Sequence, residues 1–181
     1  MSSTPGTTQA EQVVLLGSDG APIGVADKAT VHDADTPLHL AFSCHVVRDD
    51  GRVLVTRRAL GKATWPGVWT NSFCGHPAPG EAMDDAIRRR AQRELGLEVG
   101  AIEPVLPDFR YRAVDASGVV ENEVCPVFRA TAVGDPVPAA DEVAEWEWVE
   151  PDALRAAVTA APFAFSPWLV LQLSEWEQTS R

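Results

Sequence analysis

Short apolar runs bounded by turn residues dominate the chain, and only three stretches carry helical spacing. Val13 to Leu16, ahead of Gly17-Ser18-Asp19-Gly20, reads as a first strand and turn, with Ile23 to Ala26 as its partner. Lys28 to Pro37 is polar and reads as a loop. His39 to Val47 is a near-continuous apolar run and predicts one strand; Asp49-Asp50-Gly51 predicts the hairpin that returns it through Arg52 to Thr56. Arg57 to Gly67 reads as a basic loop, and Val68 to Phe73 as a short strand leading into Cys74. From Glu81 to Leu95 the apolar positions Met83, Ala86, Ile87 and Ala91 follow helical spacing, and Gly96 is a good stop. Leu97 to Val105, Phe109 to Val114 and Val119 to Val133 predict further strands, the last two joined by Asp115-Ala116-Ser117-Gly118. Gly134 to Ala140 is a loop, and Val143 to Val149 a strand with alternating Trp146 and Trp148. Pro151 to Val158 is a short helix starting on proline, Ala161 to Ser166 a loop, and Pro167 to Gln178 a closing helix. This order predicts an α+β fold, a mixed β-sheet sandwiched by helices. It occupies a single domain over residues 11–181, behind a flexible Ser/Thr-rich tail at residues 1–10.

Composition narrows the functional classes. The 181 residues suit one domain with a sizeable core, and no apolar run reaches the roughly 18 residues of a membrane span. The formal net charge of −11 repels nucleic acid and anionic membrane surfaces. The charge is uneven, however. Ten of the 15 Lys and Arg residues lie between Arg52 and Arg112 against seven acids, so that segment carries +3 and the remainder −14. A basic island in an acidic protein suits a small anion such as a phosphate ester, or simply a solvated helix face. Three cysteines, Cys44, Cys74 and Cys125, cannot form a complete disulfide set, which points to a reducing cytoplasm.

Two stretches concentrate chemistry. On the helix, Glu94 lies seven residues after Ile87 and so shares its inward face, with Arg90 flanking the stripe. Arg90 and Glu94 are either a helix ion pair or an anion-binding arginine beside a metal-binding carboxylate. Glu121 and Glu123, two apart in a strand, face one side among apolar neighbours. Two buried carboxylates repel unless a cation or proton sits between them. The histidines are His32, His39, His45 and His76; His45, inside an apolar strand, reads as a packing residue. The other three, with the glutamate pair, would make a mixed nitrogen and oxygen site of the kind that takes Mn, Fe, Zn or Mg. Cys74 is a nucleophile, a proton donor or acceptor, or a core residue. Tyr111 and Trp168 are further candidates: a phenol can orient a carboxylate, and an indole face can stabilise a cation.

Taken together, Thr36-Pro37-Leu38-His39-Leu40-Ala41-Phe42-Ser43, Trp65-Pro66-Gly67-Val68-Trp69-Thr70-Asn71-Ser72, Cys74-Gly75-His76-Pro77, Asp108-Phe109-Arg110-Tyr111-Arg112-Ala113, Glu121-Asn122-Glu123-Val124-Cys125-Pro126 and Phe165-Ser166-Pro167-Trp168 resemble the type I isopentenyl-diphosphate isomerase family. The resemblance covers roughly Lys28 to Trp168 and implies a Nudix-type α/β/α sandwich. Gly75, Glu81, Arg89, Glu94 and Gly96 keep the Nudix-box spacing, but Arg90 and Arg93 stand where hydrolases of that type carry metal-binding glutamates. That departure argues against diphosphate hydrolysis. The resemblance further implies that His32, His39, His76, Glu121 and Glu123 bind a divalent metal (Zn, Mn or Mg). It implies a magnesium ion bridging Glu94, the Cys74 carbonyl and the substrate diphosphate, and it implies that Lys28, Arg58, Lys62 and Arg90 hold that diphosphate. Cys74 and Glu123 would transfer protons on opposite faces of the alkene, and Trp168 would face the carbocation between the two steps. The rival expectations are a Nudix hydrolase of a nucleoside diphosphate derivative and a non-catalytic metabolite-binding module.

Overall fold

The computed structural model describes residues 11–179, so the expected tail lies outside the described residues. Twelve strands form two mixed sheets rather than the one expected, and three helices flank them. The first sheet contains β1 (Gln12–Leu16), β2 (Pro22–Asp27), β3 (His39–Leu40), β9 (Arg110–Val114) and β10 (Val120–Val124), in the order β2-β1-β3-β10-β9. The second runs β12-β5-β4-β11-β8, from β4 (Phe42–Val47), β5 (Val53–Arg58), β8 (Glu98–Leu106), β11 (Val127–Val133) and β12 (Val143–Val149). Two short strands, β6 (Trp69–Thr70) and β7 (Phe73–Gly75), pair with β5 and β4 respectively.

Three expected strands are each two. His39 to Val47 breaks at Ala41, and Val119 to Val133 breaks at Cys125-Pro126. Each half joins a different sheet. The two segments run parallel through both sheets, β3 beside β10 and then β4 beside β11. Proline has no N–H to donate, so the ladder cannot continue through Pro126. Its carbonyl and that of Val124 still accept Ser43 N–H (3.1 Å) and Ala41 N–H (2.9 Å), which stitches the two crossings together. Val68 to Phe73 also breaks, at Asn71-Ser72, because side chains take over backbone bonds there. Ser72 Oγ accepts Val46 N–H and donates to the Leu54 carbonyl, both at 2.7 Å. Asn71 Nδ2 donates to the carbonyls of Cys44 and Phe73 at 3.1 and 2.7 Å. Cys74 consequently lies inside β7 rather than beyond a strand. At the other edge β5 runs on to Arg58, so the basic loop begins later than expected.

The second sheet is covered on both faces. Leu54 packs with Phe42, Val46 and Trp148 beneath α1 (Met83–Leu95), whereas Val53 and Val55 face α2 (Pro151–Ala160) and α3 (Pro167–Thr179). This period-two division follows from the pleat. A 3₁₀ turn, Pro162–Ala164, occupies the expected loop before α3. α1 turns Ala86, Ile87, Arg90, Ala91, Glu94 and Leu95 inward, as its spacing predicts, and ends on Gly96 at φ 56°. Gly75 lets the helix come close: a Cβ there would stand 2.7 Å from Arg90 Cγ and 2.8 Å from Phe42 Cζ. A third cluster, Ala41, Leu106, Phe109, Tyr111, Cys125, Val127 and Trp168, fills the seam between the sheets. Among the described residues, no helix is long and apolar enough to cross a membrane.

Candidate active site

The seam where the two parallel segments change sheets is where the candidate residues meet. Register puts Glu123 directly between His39 on β3 and Tyr111 on β9. The ligand atoms of His32, His39, His76 and Glu123 all lie within 4.8 Å of one another. His39 is fully buried, and its Nδ1 lies 2.9 Å from the Pro37 carbonyl. A carbonyl only accepts, so Nδ1 carries a proton and Nε2 is the nitrogen that faces the cluster. That Nε2 lies 3.4 Å from a Glu123 oxygen without a hydrogen bond. His32 Nε2, also buried and without a hydrogen bond, lies 3.1 Å from Glu121. Buried imidazole nitrogens without hydrogen bonds, aimed at carboxylate oxygens, suit a cation, and the Pro37 carbonyl is the outer partner that fixes a ligating imidazole. The donor set therefore fits a divalent metal.

Glu121 stands at the edge of this group, outside the tight set of four. One of its oxygens accepts Thr64 Oγ1–H at 2.8 Å. Electrostatics follow from burial and pairing. Burial raises the Glu123 carboxyl, but the imidazoles of His39 and His76 outweigh this and hold it well below the usual carboxylate range. Burial lowers His39 too, yet the Glu123 carboxylate leaves it raised overall; at His76 burial prevails and the ring is lowered.

A cavity of about 130 Å³ adjoins the cluster, and Cys74, Glu123, Glu94, Arg90, Lys62 and Trp168 are among its lining residues. Lys28, Arg58, His76 and Glu121 line it as well. A larger cavity of about 230 Å³, lined by His45, Arg129, Arg155 and Trp176, lies away from these groups and holds none of them. The cations are already paired. Arg90 bonds Glu94, Lys62 bonds Glu142, and Arg90 lies 3.6 Å from Glu142. Lys28 pairs with Glu11 at 2.6 Å. Arg58 donates to the Thr64 and Trp65 carbonyls and sits 5.3 Å from the centre of the Trp168 ring. Arg90 and Glu94 are the helix ion pair of the first reading, and both line the cavity. Burial raises the Glu94 carboxyl against the pull of Arg90. Arg93, by contrast, is exposed and pairs outward with Asp141 at 2.8 Å.

Burial, with a smaller push from Glu123, drives the Cys74 thiol up to about 12, so it rests protonated. Asn71 Oδ1 gathers the Cys74 thiol at 3.4 Å and the Trp168 indole N–H at 3.0 Å. Trp168 is wedged edge-on against Trp65 and tilted against Tyr111, with ring centres 5.5 and 5.8 Å apart. Asn71, Thr64, Glu142, Ser43 and Gln172 were not singled out as site residues from sequence. For Asn71 and Ser43 the only signal was membership of the matching segments.

His45 packs in the core as expected, on the face of β4 that meets Gln172. Burial lowers it to about 4 from an ordinary 6.5, against a 3.0 Å bond to Gln172. The folded state then binds fewer protons than the unfolded chain between those values. Its contribution to stability is therefore present above pH 6.5 and is lost as the pH falls towards 4, by about 3 kcal/mol. Chemical unfolding across that window should show the decline, and His45→Leu should flatten it whatever its effect at pH 7. An unchanged slope would place the titration elsewhere.

Comparison with known proteins agrees with this geometry. The NUDIX domain family model matches residues 37–169. The fold resembles a crystal structure from Deinococcus radiodurans (TM-score 0.71, 18% identity, 91% of this chain and 98% of that one). It also resembles a MutT protein from Methanosarcina mazei (TM-score 0.61, 16% identity, 80% and 96%). The chain belongs to the Nudix family. Among curated relatives, proteins named isopentenyl-diphosphate Delta-isomerase are 68% identical over 169 residues in Leifsonia xyli subsp. xyli and 62% identical over 173 residues in Corynebacterium glutamicum. The alignments cover 92% and 93% of this chain and 91% and 92% of those proteins. At that identity and coverage, its place within the Nudix family is among the isopentenyl-diphosphate Delta-isomerases.

Proposed function

We propose that this chain isomerises isopentenyl diphosphate to dimethylallyl diphosphate, a step of isoprenoid biosynthesis. The observation that carries this reading is one small cavity lined by a thiol, a carboxylate and an indole, with basic residues beside them. A hydrolase would need to activate water. Here the box position occupied by Arg90 places a cation against the cavity instead of a carboxylate.

Lys28, Arg58, Lys62 and Arg90 hold the diphosphate, Lys28, Lys62 and Arg90 exchanging part of their present acidic partners, and Arg58 part of its carbonyl partners, for phosphate oxygens. Glu94 and the Cys74 carbonyl are the groups that would carry a magnesium ion shared with the diphosphate. His32, His39, His76, Glu121 and Glu123 would hold a second divalent cation (Zn, Mn or Mg). When bound, these ions neutralise the buried negative charge and tune the acidity of Glu123. An alkene is a weak base, so its protonation needs a positioned acid and a stabilised cation. Either Cys74 or Glu123 protonates the terminal carbon, giving a tertiary carbocation. The other removes a proton from C2, and the two exchange roles when the reaction reverses. The Trp168 face stabilises the cation, and Tyr111 orients Glu123 from the neighbouring strand. Burial keeps water from trapping the cation. The three free cysteines fit a reducing, cytoplasmic setting.

Product analysis tests the reading. With isopentenyl diphosphate and Mg²⁺, the protein should form dimethylallyl diphosphate and release neither phosphate nor pyrophosphate. Release of either would favour a hydrolase. Binding without turnover would favour a metabolite-binding module.

A further inference from the structure

From Cys74 a polar chain runs through the core to His45. Register places Ser43 of β4 directly opposite Cys74 of β7. Ser43 Oγ lies 3.2 Å from Cys74 Sγ and 3.4 Å from Cys125 Sγ. Gln172 on α3 donates from Nε2 to Ser43 Oγ at 2.8 Å, and its Oε1 faces His45 Nε2 at 3.0 Å. Ser43 and Gln172 are fully buried, and His45 is 2% exposed. Polar side chains are costly at such depth unless their bonds are specific.

Donor and acceptor chemistry limits the direction of these bonds. Asn71 Oδ1 only accepts; it takes the Thr70 hydroxyl at 2.9 Å and the Trp168 indole N–H at 3.0 Å, and the Cys74 thiol is its more distant third donor at 3.4 Å. Once the thiol proton has passed to the substrate, the sulfur can only accept, and the Ser43 hydroxyl is the donor to it; Cys74 Sγ at 3.2 Å is a nearer acceptor than Cys125 Sγ at 3.4 Å. Gln172 occupies a lone pair on Ser43 Oγ and so aims the hydroxyl proton outward. Gln172 is itself oriented, because its Oε1 only accepts and takes the His45 Nε2–H. The chain His45, Gln172, Ser43 therefore ends in one hydroxyl 3.2 Å from the Cys74 sulfur.

We propose that Ser43 is a catalytic hydrogen-bond donor to the Cys74 sulfur, supporting it while its proton is on the substrate, and that Gln172 is the positioning residue that aims this donor. The proposal deepens the isomerase reading and rests on it. A hydrogen bond to a group that gains charge contributes more as the charge develops than before. Its loss therefore falls on the chemical step rather than on substrate binding.

The test is a double-mutant cycle with isopentenyl diphosphate, the metal-loaded full chain and Mg²⁺. Ser43→Ala should lower kcat by about 10- to 100-fold, the range for a bond to a charged group, and leave KM within about two-fold. Gln172→Met should lower kcat by about 3- to 10-fold on the same scale, also without moving KM. Because Gln172 acts through Ser43, the double variant should be no slower than Ser43→Ala alone. Losses that multiply, or a Ser43→Ala enzyme as fast as the parent, would overturn the proposal while leaving the isomerase reading intact. A parent that makes no dimethylallyl diphosphate would overturn that reading itself. If Ser43→Ala does not fold, Gln172→Met decides alone: an unchanged kcat, or a loss confined to KM, rejects the positioning role.

Discussion

Cys74→Ala should lower the isomerisation rate by about 10³- to 10⁴-fold, the upper part of the range for a positioned proton-transfer group, and leave bound metal unchanged. The thiol's surroundings explain both halves. Its sulfur is fixed between Asn71 and Ser43, whereas the cation cluster draws on imidazoles and carboxylates that do not depend on the sulfur. Removing a sulfur from a half-buried position adjoining a cavity costs little packing, so the variant should fold. Steady-state rates and metal content on the same preparation check this. A variant retaining more than about a tenth of the rate would exclude Cys74 from proton transfer on the same scale.

Glu123→Gln should do more. The amide cannot exchange the proton, which alone accounts for about 10²- to 10⁴-fold. It also removes the negative charge that His39 and His76 face at 3.4 and 3.2 Å. The cluster then loses its one carboxylate within the tight set, so metal content should fall together with activity, in contrast to Cys74→Ala. Stability should move as well, because a buried carboxylate held well below its usual range contributes to folding near neutral pH. Metal analysis by mass spectrometry alongside rate measurement separates the two losses. Full metal occupancy in the variant would remove Glu123 from the proposed ligand set.

How much of this was legible in the chain depended on the range of the signal. The period of two that put Glu121 and Glu123 on one face, and the seven-residue step that turned Glu94 inward with Ile87, are local, and both side chains of each pair are buried as read. The apolar run from His39 to Val47 was misread as one strand because hydrophobicity does not record which sheet a strand joins. Pro126 was a visible reason to break the later run, since it cannot donate to a ladder. Glu142 meets Lys62 across 80 residues, and Gln172 meets Ser43 across 129. No local pattern carries such pairings: the first exists because β12 pairs with β5 and brings the Glu142 carbonyl to Ala59 N–H, the second because α3 docks against the face of β4 that carries Ser43. The matching segments brought the right residues into view without saying what stood behind them.

The central claim is that a thiol and a metal-linked carboxylate exchange protons with the substrate across one cavity. The most direct test is turnover of isopentenyl diphosphate in deuterium oxide, read by mass spectrometry of the dimethylallyl product. The account predicts deuterium in the new methyl group for the parent and none formed by Cys74→Ala. Product without label, or labelled product from Cys74→Ala at the parental rate, would contradict it.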